Sequence, residues 1–168
     1  SVKQAHIQRI YIGVNREFLE IESDVEEIRS RYQIPQKFIL YTGVWREHKN
    51  LVGLLKAFAL GKRTGRKDVW KDLALVITGK KDPHYPEVLE TIKKLGLEKD
   101  VVCPGLVPFE DLVGLYRGAE AYVFPSFYEG FGIPPLEAMS VGTPVVASNV
   151  SSIPEVCEKS AFYFDPYS

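Results

Sequence analysis

Short apolar runs punctuate the whole chain, and amphipathic stretches fill the intervals between them. Segments 9–13, 38–42, 74–78, 101–103, 121–124 and 144–147, with a weaker one at 161–164, are rich in Val, Ile, Tyr or Phe. Runs that are apolar on both faces suit strands of a buried parallel sheet. Segments 25–32, 51–61, 87–95, 109–118, 135–141 and 153–159 repeat apolar positions at helical spacing, the first behind a Ser23-Asp24-Val25-Glu26 capping box. Strand and helix alternate throughout, which predicts an α/β fold with a Rossmann-like, doubly wound parallel sheet. Such sheets bind ligands in the loops at the carboxyl ends of their strands. The loops after Thr42, Thr78, Cys103 and Phe124 are therefore expected to line one crevice, gathering Lys49, Lys80, Val107 and Glu129. No internal repeat or low-complexity segment interrupts the pattern.

Composition narrows the classes. A chain of 168 residues, 45% hydrophobic and 26% charged, suits a single soluble domain over 1–168. A net charge of −1 with both signs interspersed gives no field for a polyanion, so no nucleic acid is expected as partner. The apolar runs are too short for a transmembrane segment and no charged-then-apolar leader opens the chain, which predicts a cytoplasmic location. Cys103 and Cys157 lie apart without metal or redox spacing and read as core thiols in a reducing compartment. His6, His48 and His84 are scattered, and no Asp-x-Asp pair is present, so no metal site is expected.

The densest chemistry lies between Ser126 and Ala138. Glu129 and Glu137 stand on either side of a glycine turn that runs into a helix start. Gly130 and Gly132 permit close backbone approach and positive φ, and Pro134 and Pro135 suit the first helical turn. The amides of Gly132 and Ile133, with the positive end of the helix dipole, would then favour a phosphate or diphosphate.

Glu129, seven residues and Glu137, with Gly-Phe-Gly-Ile-Pro-Pro between them, do not stand alone. Leu40-Tyr41-Thr42-Gly43, Lys49-Asn50-Leu51, Val76-Ile77-Thr78-Gly79, Pro104-Gly105 and Gly142-Thr143-Pro144-Val145-Val146-Ala147 follow in a fixed order. The set closely resembles the retaining, nucleotide-sugar-dependent glycosyltransferases of the GT-B fold, specifically family four (group 1), over most of the chain. The resemblance implies one half of a GT-B fold, the C-terminal donor-binding domain, with the N-terminal acceptor domain and the final helices absent from this sequence. Glu129 would contact the donor sugar near its reacting centre, positioning it and stabilising charge rather than forming a covalent bond. Glu137, in the first turn of its helix, would hold the ribose hydroxyls, although dipole complementation alone also suits a Glu there. Lys49 would neutralise the departing diphosphate.

Gly43, Gly130, Phe131, Gly132 and Ile133 would contribute donor-binding positions, Val107 would meet the base through its backbone, and Lys80 would stand on the rim. Phe131 is equally suited to anchoring the turn. Many relatives carry an arginine directly after the glycine, where this chain has Val44; Arg46 is the alternative second charge or an ordinary surface arginine. The implied cofactor set is empty, with a nucleoside diphosphate sugar as substrate and no metal. The implied partners are that nucleotide sugar and a carbohydrate or lipid-linked acceptor held by the missing half, with peripheral association of the parent at the inner membrane face. Lys49-Asn50-Leu51 with Tyr-Glu-Gly-Phe-Gly-Ile-Pro-Pro looks most like hexosyltransferases of surface-polysaccharide assembly, leaning to GDP-mannose over a UDP-hexose. A non-catalytic nucleotide-sugar-binding or scaffolding domain and a GT-B sugar-nucleotide epimerase stay open. A dinucleotide-dependent dehydrogenase does not, since the turn after Thr42 has Gly43 but no Gly-x-Gly-x-x-Gly.

Overall fold

In the computed structural model, which describes residue 8 and residues 10–168, six parallel strands form one sheet in the order β3-β2-β1-β4-β5-β6. The strands are β1 (Lys37–Thr42), β2 (Leu73–Thr78), β3 (Val101–Gly105), β4 (Ala121–Phe124), β5 (Val145–Ser148) and β6 (Ala161–Phe164). The helices are α1 (Glu17–Glu20), α2 (Val25–Tyr32), α3 (Leu51–Thr64), α4 (Lys67–Trp70), α5 (Glu87–Lys94), α6 (Phe109–Gly118), α7 (Ile133–Ser140) and α8 (Ile153–Cys157). This is the doubly wound arrangement that the alternation predicts.

The side-chain period of the strands builds the two layers. Phe38 and Leu40 of β1, Ala74 and Val76 of β2, and Tyr122 and Phe124 of β4 face one core with Ile28, Val113 and Tyr116. The intervening Tyr41, Leu75, Ile77 and Val123 face the other, with Leu51, Leu55, Phe58, Val88 and Ile92. Burial on both faces is why these strands read as unbroken apolar runs. β1 pairs with β2 from Lys37↔Leu73 to Thr42↔Thr78, and with β4 at Ile39↔Ala121 and Leu40↔Tyr122. The strand order reverses between β1 and β4, so the crevice above Thr42 and Phe124 is the topological switch point.

Several local expectations need correction. No strand forms at 10–13, and Arg9 lies outside the described residues. Ile10, Tyr11 and Ile12 are exposed, and Tyr11 is instead tied to Glu155 by a 2.8 Å hydrogen bond and faces the Phe131 ring. Asp24, not Ser23, caps α2 by accepting from the Glu27 amide at 3.0 Å, while the Ser23 hydroxyl donates to the Glu110 carbonyl. α7 starts at Ile133, two residues before the expected bound, because Gly132 takes the left-handed N-cap position with φ 99°. Glu137 consequently lies in the second turn, beyond the strongest reach of the helix dipole.

Candidate functional site

Main-chain hydrogen bonds tie the three loops on the β1 side of the switch point together. The Gly43 amide donates to the Thr78 carbonyl at 3.1 Å, Trp45 to Lys80 at 3.0 Å, and Gly79 to Gly105 at 2.8 Å. Gly79 has φ 122°, and a Cβ there would fall 2.1 Å from the Gly43 carbonyl oxygen, so only glycine fits. These loops enclose a recess of about 240 Å³ lined by Thr42, Gly43, Val44, Thr78, Gly79, Lys80, Leu106, Val107 and Leu112. Of the four residues expected in one crevice, Lys80 and Val107 share this recess with Gly43, whereas Lys49 and Glu129 do not line it and pair with each other instead. Arg46 is placed elsewhere: it is exposed and lines a separate recess of about 800 Å³ with Glu47, Lys56, Asp82, His84 and Tyr85.

Lys49 ends a 3-10 turn, Glu47–Lys49, and Asn50 follows in the left-handed region at φ 55°. Two ties fasten this turn to the segment after β4: the Phe127 amide donates to the His48 carbonyl at 2.8 Å, and Asn50 Nδ2 donates to the Pro125 carbonyl at 3.1 Å. The Lys49 ammonium therefore meets the Glu129 carboxylate across the switch point, donating to both oxygens at 2.7 and 2.9 Å. Ser126 Oγ adds a third donor to Glu129 at 2.6 Å. Both charged side chains are withdrawn from solvent, at 19% and 11% exposure, and each supplies the counter-charge that such burial demands.

Glu129 sits on a loop pinned from below. Ser151 and Ser152 donate to its carbonyl at 2.7 and 3.0 Å, Ser152 donates also to the Phe131 carbonyl at 3.1 Å, and Ser148 donates to that of Ser126 at 2.6 Å. Sequence reasoning passed over these serines, whose one signal is the polar run Ser148-Asn149-Val150-Ser151-Ser152 between β5 and α8. Of the two glycines expected at positive φ, only Gly132 takes it; Gly130 does not, and a Cβ there would meet nothing within 4 Å. Pro134 and Pro135 carry no amide hydrogen, which leaves the amides of Gly132 and Ile133 as the donors at this helix start. Phe131 is half-buried, with its ring 6.2 Å from that of Tyr11.

Glu137 projects from α7 toward the end of β1. Tyr116 Oη donates to Glu137 Oε2 at 2.9 Å and lies 2.8 Å from Thr42 Oγ1. Burial pushes the Glu137 carboxyl above its ordinary range, and the Tyr116 hydroxyl offsets part of that rise by hydrogen bonding. The switch point therefore brings together a cation and carboxylate in contact, the start of α7, and a second, half-buried carboxylate one hydroxyl away from Thr42 in the wall of an apolar recess.

Residues 24–168 match the model of the glycosyl transferases group 1 family. The chain belongs to this family. It is 39% identical over 140 residues to the O-antigen chain mannosyltransferase B of Escherichia coli, spanning 83% of this chain and 36% of that one. The solved sucrose-phosphate synthase of Thermosynechococcus elongatus superimposes with a TM-score of 0.75 at 26% identity, over 93% of this chain and 39% of the synthase. The C-terminal domain of a group 1 glycosyl transferase from Francisella tularensis shares the fold, with a TM-score of 0.74 at 23% identity over 93% of this chain and 82% of that domain. The chain thus spans about a third of the length of that mannosyltransferase.

Proposed function

We propose that this chain supplies the donor site of a retaining glycosyltransferase that moves a hexosyl unit from a nucleoside diphosphate sugar to a saccharide, lipid or polysaccharide acceptor. The observation that carries the reading is the convergence of Lys49 and Glu129, 80 positions apart, to 2.7 Å at the switch point beside the α7 start. A diphosphate beside Ile133 would draw the Lys49 ammonium from Glu129 and free that carboxylate to accept from sugar hydroxyls. Charge developing on the departing phosphate would be met by Lys49 and the helix start, electrostatic stabilisation that needs no proton transfer. The sugar would leave and be attacked on one face, with the leaving diphosphate taking the acceptor proton.

The base would enter the recess between Gly43, Lys80 and Val107, and Glu137 would hold the ribose. Lys49 would do the work a divalent ion does in other transferases, so donor binding is expected without metal. The mannosyltransferase relative supports GDP-mannose as the donor to try first, ahead of a UDP-hexose. The acceptor would come from another part of a longer enzyme working in the cytoplasm or at the inner face of the membrane. Because the chain spans 36% of that relative, a second reading is kept: alone, it binds the nucleotide sugar and transfers nothing.

Calorimetric titration with UDP, GDP and ADP, with and without magnesium, tests the donor site, with Glu137→Ala as control. Saturable, metal-independent binding of one nucleotide, weakened in the variant, is the expected result. Binding that requires magnesium, or that ignores Glu137, would overturn the arrangement proposed here.

A further inference from the structure

Three hydroxyls stand in the core beneath Glu137, and the acceptor at their end fixes how they point. Tyr116 and Tyr122 are fully buried, and Thr42 is nearly so. An ionised carboxylate only accepts, so the single Tyr116 proton goes to Glu137 Oε2, at 2.9 Å. Tyr116 Oη can then only accept from Thr42 Oγ1, at 2.8 Å. With the Thr42 proton committed, Tyr122 Oη must donate, either to Thr42 Oγ1 at 3.3 Å or to the Thr42 carbonyl at 3.4 Å. The result is a one-way relay, Tyr122 to Thr42 to Tyr116 to Glu137, running from the sheet to the carboxylate.

Packing alone does not call for such a relay. Phe18, Phe38, Leu40 and Phe124 surround it, and hydroxyls taken into an apolar core cost free energy that phenylalanine or valine would avoid. What the relay does is hold one carboxylate oxygen. Thr42 lines the recess, so Glu137 is held one hydroxyl away from its wall, with Oε2 engaged from the core side and no hydrogen bond to Oε1 among the described residues.

We infer that Tyr116, itself held by the Thr42 hydroxyl, is a positioning residue that fixes the Glu137 carboxylate to receive a vicinal diol, the ribose of a nucleoside diphosphate. The inference rests on the donor-site reading above and adds how that site is held in register. Tyr116→Phe is the natural probe, since it keeps the ring that packs against Phe18 and Tyr122 and removes only the oxygen.

The experiment is calorimetry of the protein and its Tyr116→Phe variant with UDP, GDP and ADP, each beside its 2′,3′-dideoxy counterpart. The parent protein is expected to prefer the ribonucleotide. Tyr116→Phe should weaken the ribonucleotide about tenfold, leave the dideoxy form unchanged, and add little further loss on top of Glu137→Gln. A variant that keeps the full ribose preference overturns the inference and leaves the donor site standing. Equal weakening of both nucleotides makes Tyr116 merely structural and overturns it too. A parent protein that binds no nucleotide, or binds both forms alike, removes the ribose role of Glu137 and the inference with it. Should Tyr116→Phe fail to fold, Thr42→Val carries the same comparison.

Discussion

Lys49 and Glu129 each bring a full charge into a site where little solvent reaches, and each is tolerable because of the other. Removing one partner leaves the other poorly solvated, so Lys49→Ala and Glu129→Ala should each lower unfolding free energy by about 2 kcal/mol in urea titrations. The double variant should lose less than the sum, because no orphaned charge remains. In a longer enzyme that carries the acceptor half, either single change should cut turnover at least about a hundredfold; normal turnover in both would sink the catalytic assignment. Glu137 behaves differently. Its folded pKa is raised by burial, so its contribution to stability is full below the ordinary carboxylate range and is lost as pH rises through the raised value. Glu137→Gln should therefore melt higher than the parent protein at pH 7.5, with the difference shrinking toward pH 4, even as it weakens nucleotide binding.

The elements explain which features a linear reading could see. β1, β2 and β4 fall within a residue of expectation because burial on both faces leaves an uninterrupted apolar signature. Segment 10–13 carries the same signature and forms no strand; apolar spacing reports what a side chain avoids, not which backbone it pairs with. α1 and α4, at four residues each, are too short to show a helical period. Glu129 and Lys49 were legible as members of one crevice, but their ion pair was not, since it depends on the ties of Phe127 to His48 and of Asn50 to Pro125. The serines under the Glu129 loop were invisible for a similar reason: they act on main-chain carbonyls contributed by another loop. Glycines make a sharp test at this scale. Gly79→Ala meets both a clash and a positive φ and should cost about 3 kcal/mol by denaturant titration, whereas Gly130→Ala should stay within about 0.5 kcal/mol.

At the scale of the molecule, the sheet is a floor with the candidate site residues gathered at the carboxyl ends of its central strands. The proposed donor site draws on loops from both sides of the switch point, so a bound nucleotide would stabilise both together. A nucleoside diphosphate at a hundred times its Kd should add about 2.7 kcal/mol of stability, read as a rise in melting temperature that magnesium does not change and Glu137→Ala abolishes.

The rim of the 240 Å³ recess is knit by main-chain hydrogen bonds between Gly43, Thr78, Gly79 and Gly105, whereas its walls are side chains at Val44, Leu106, Val107 and Leu112. Frame and lining are therefore separable by mutation. On the reading proposed above, exchange of the wall side chains would reshape the surface that a base meets while the main-chain frame of the opening stayed as it is.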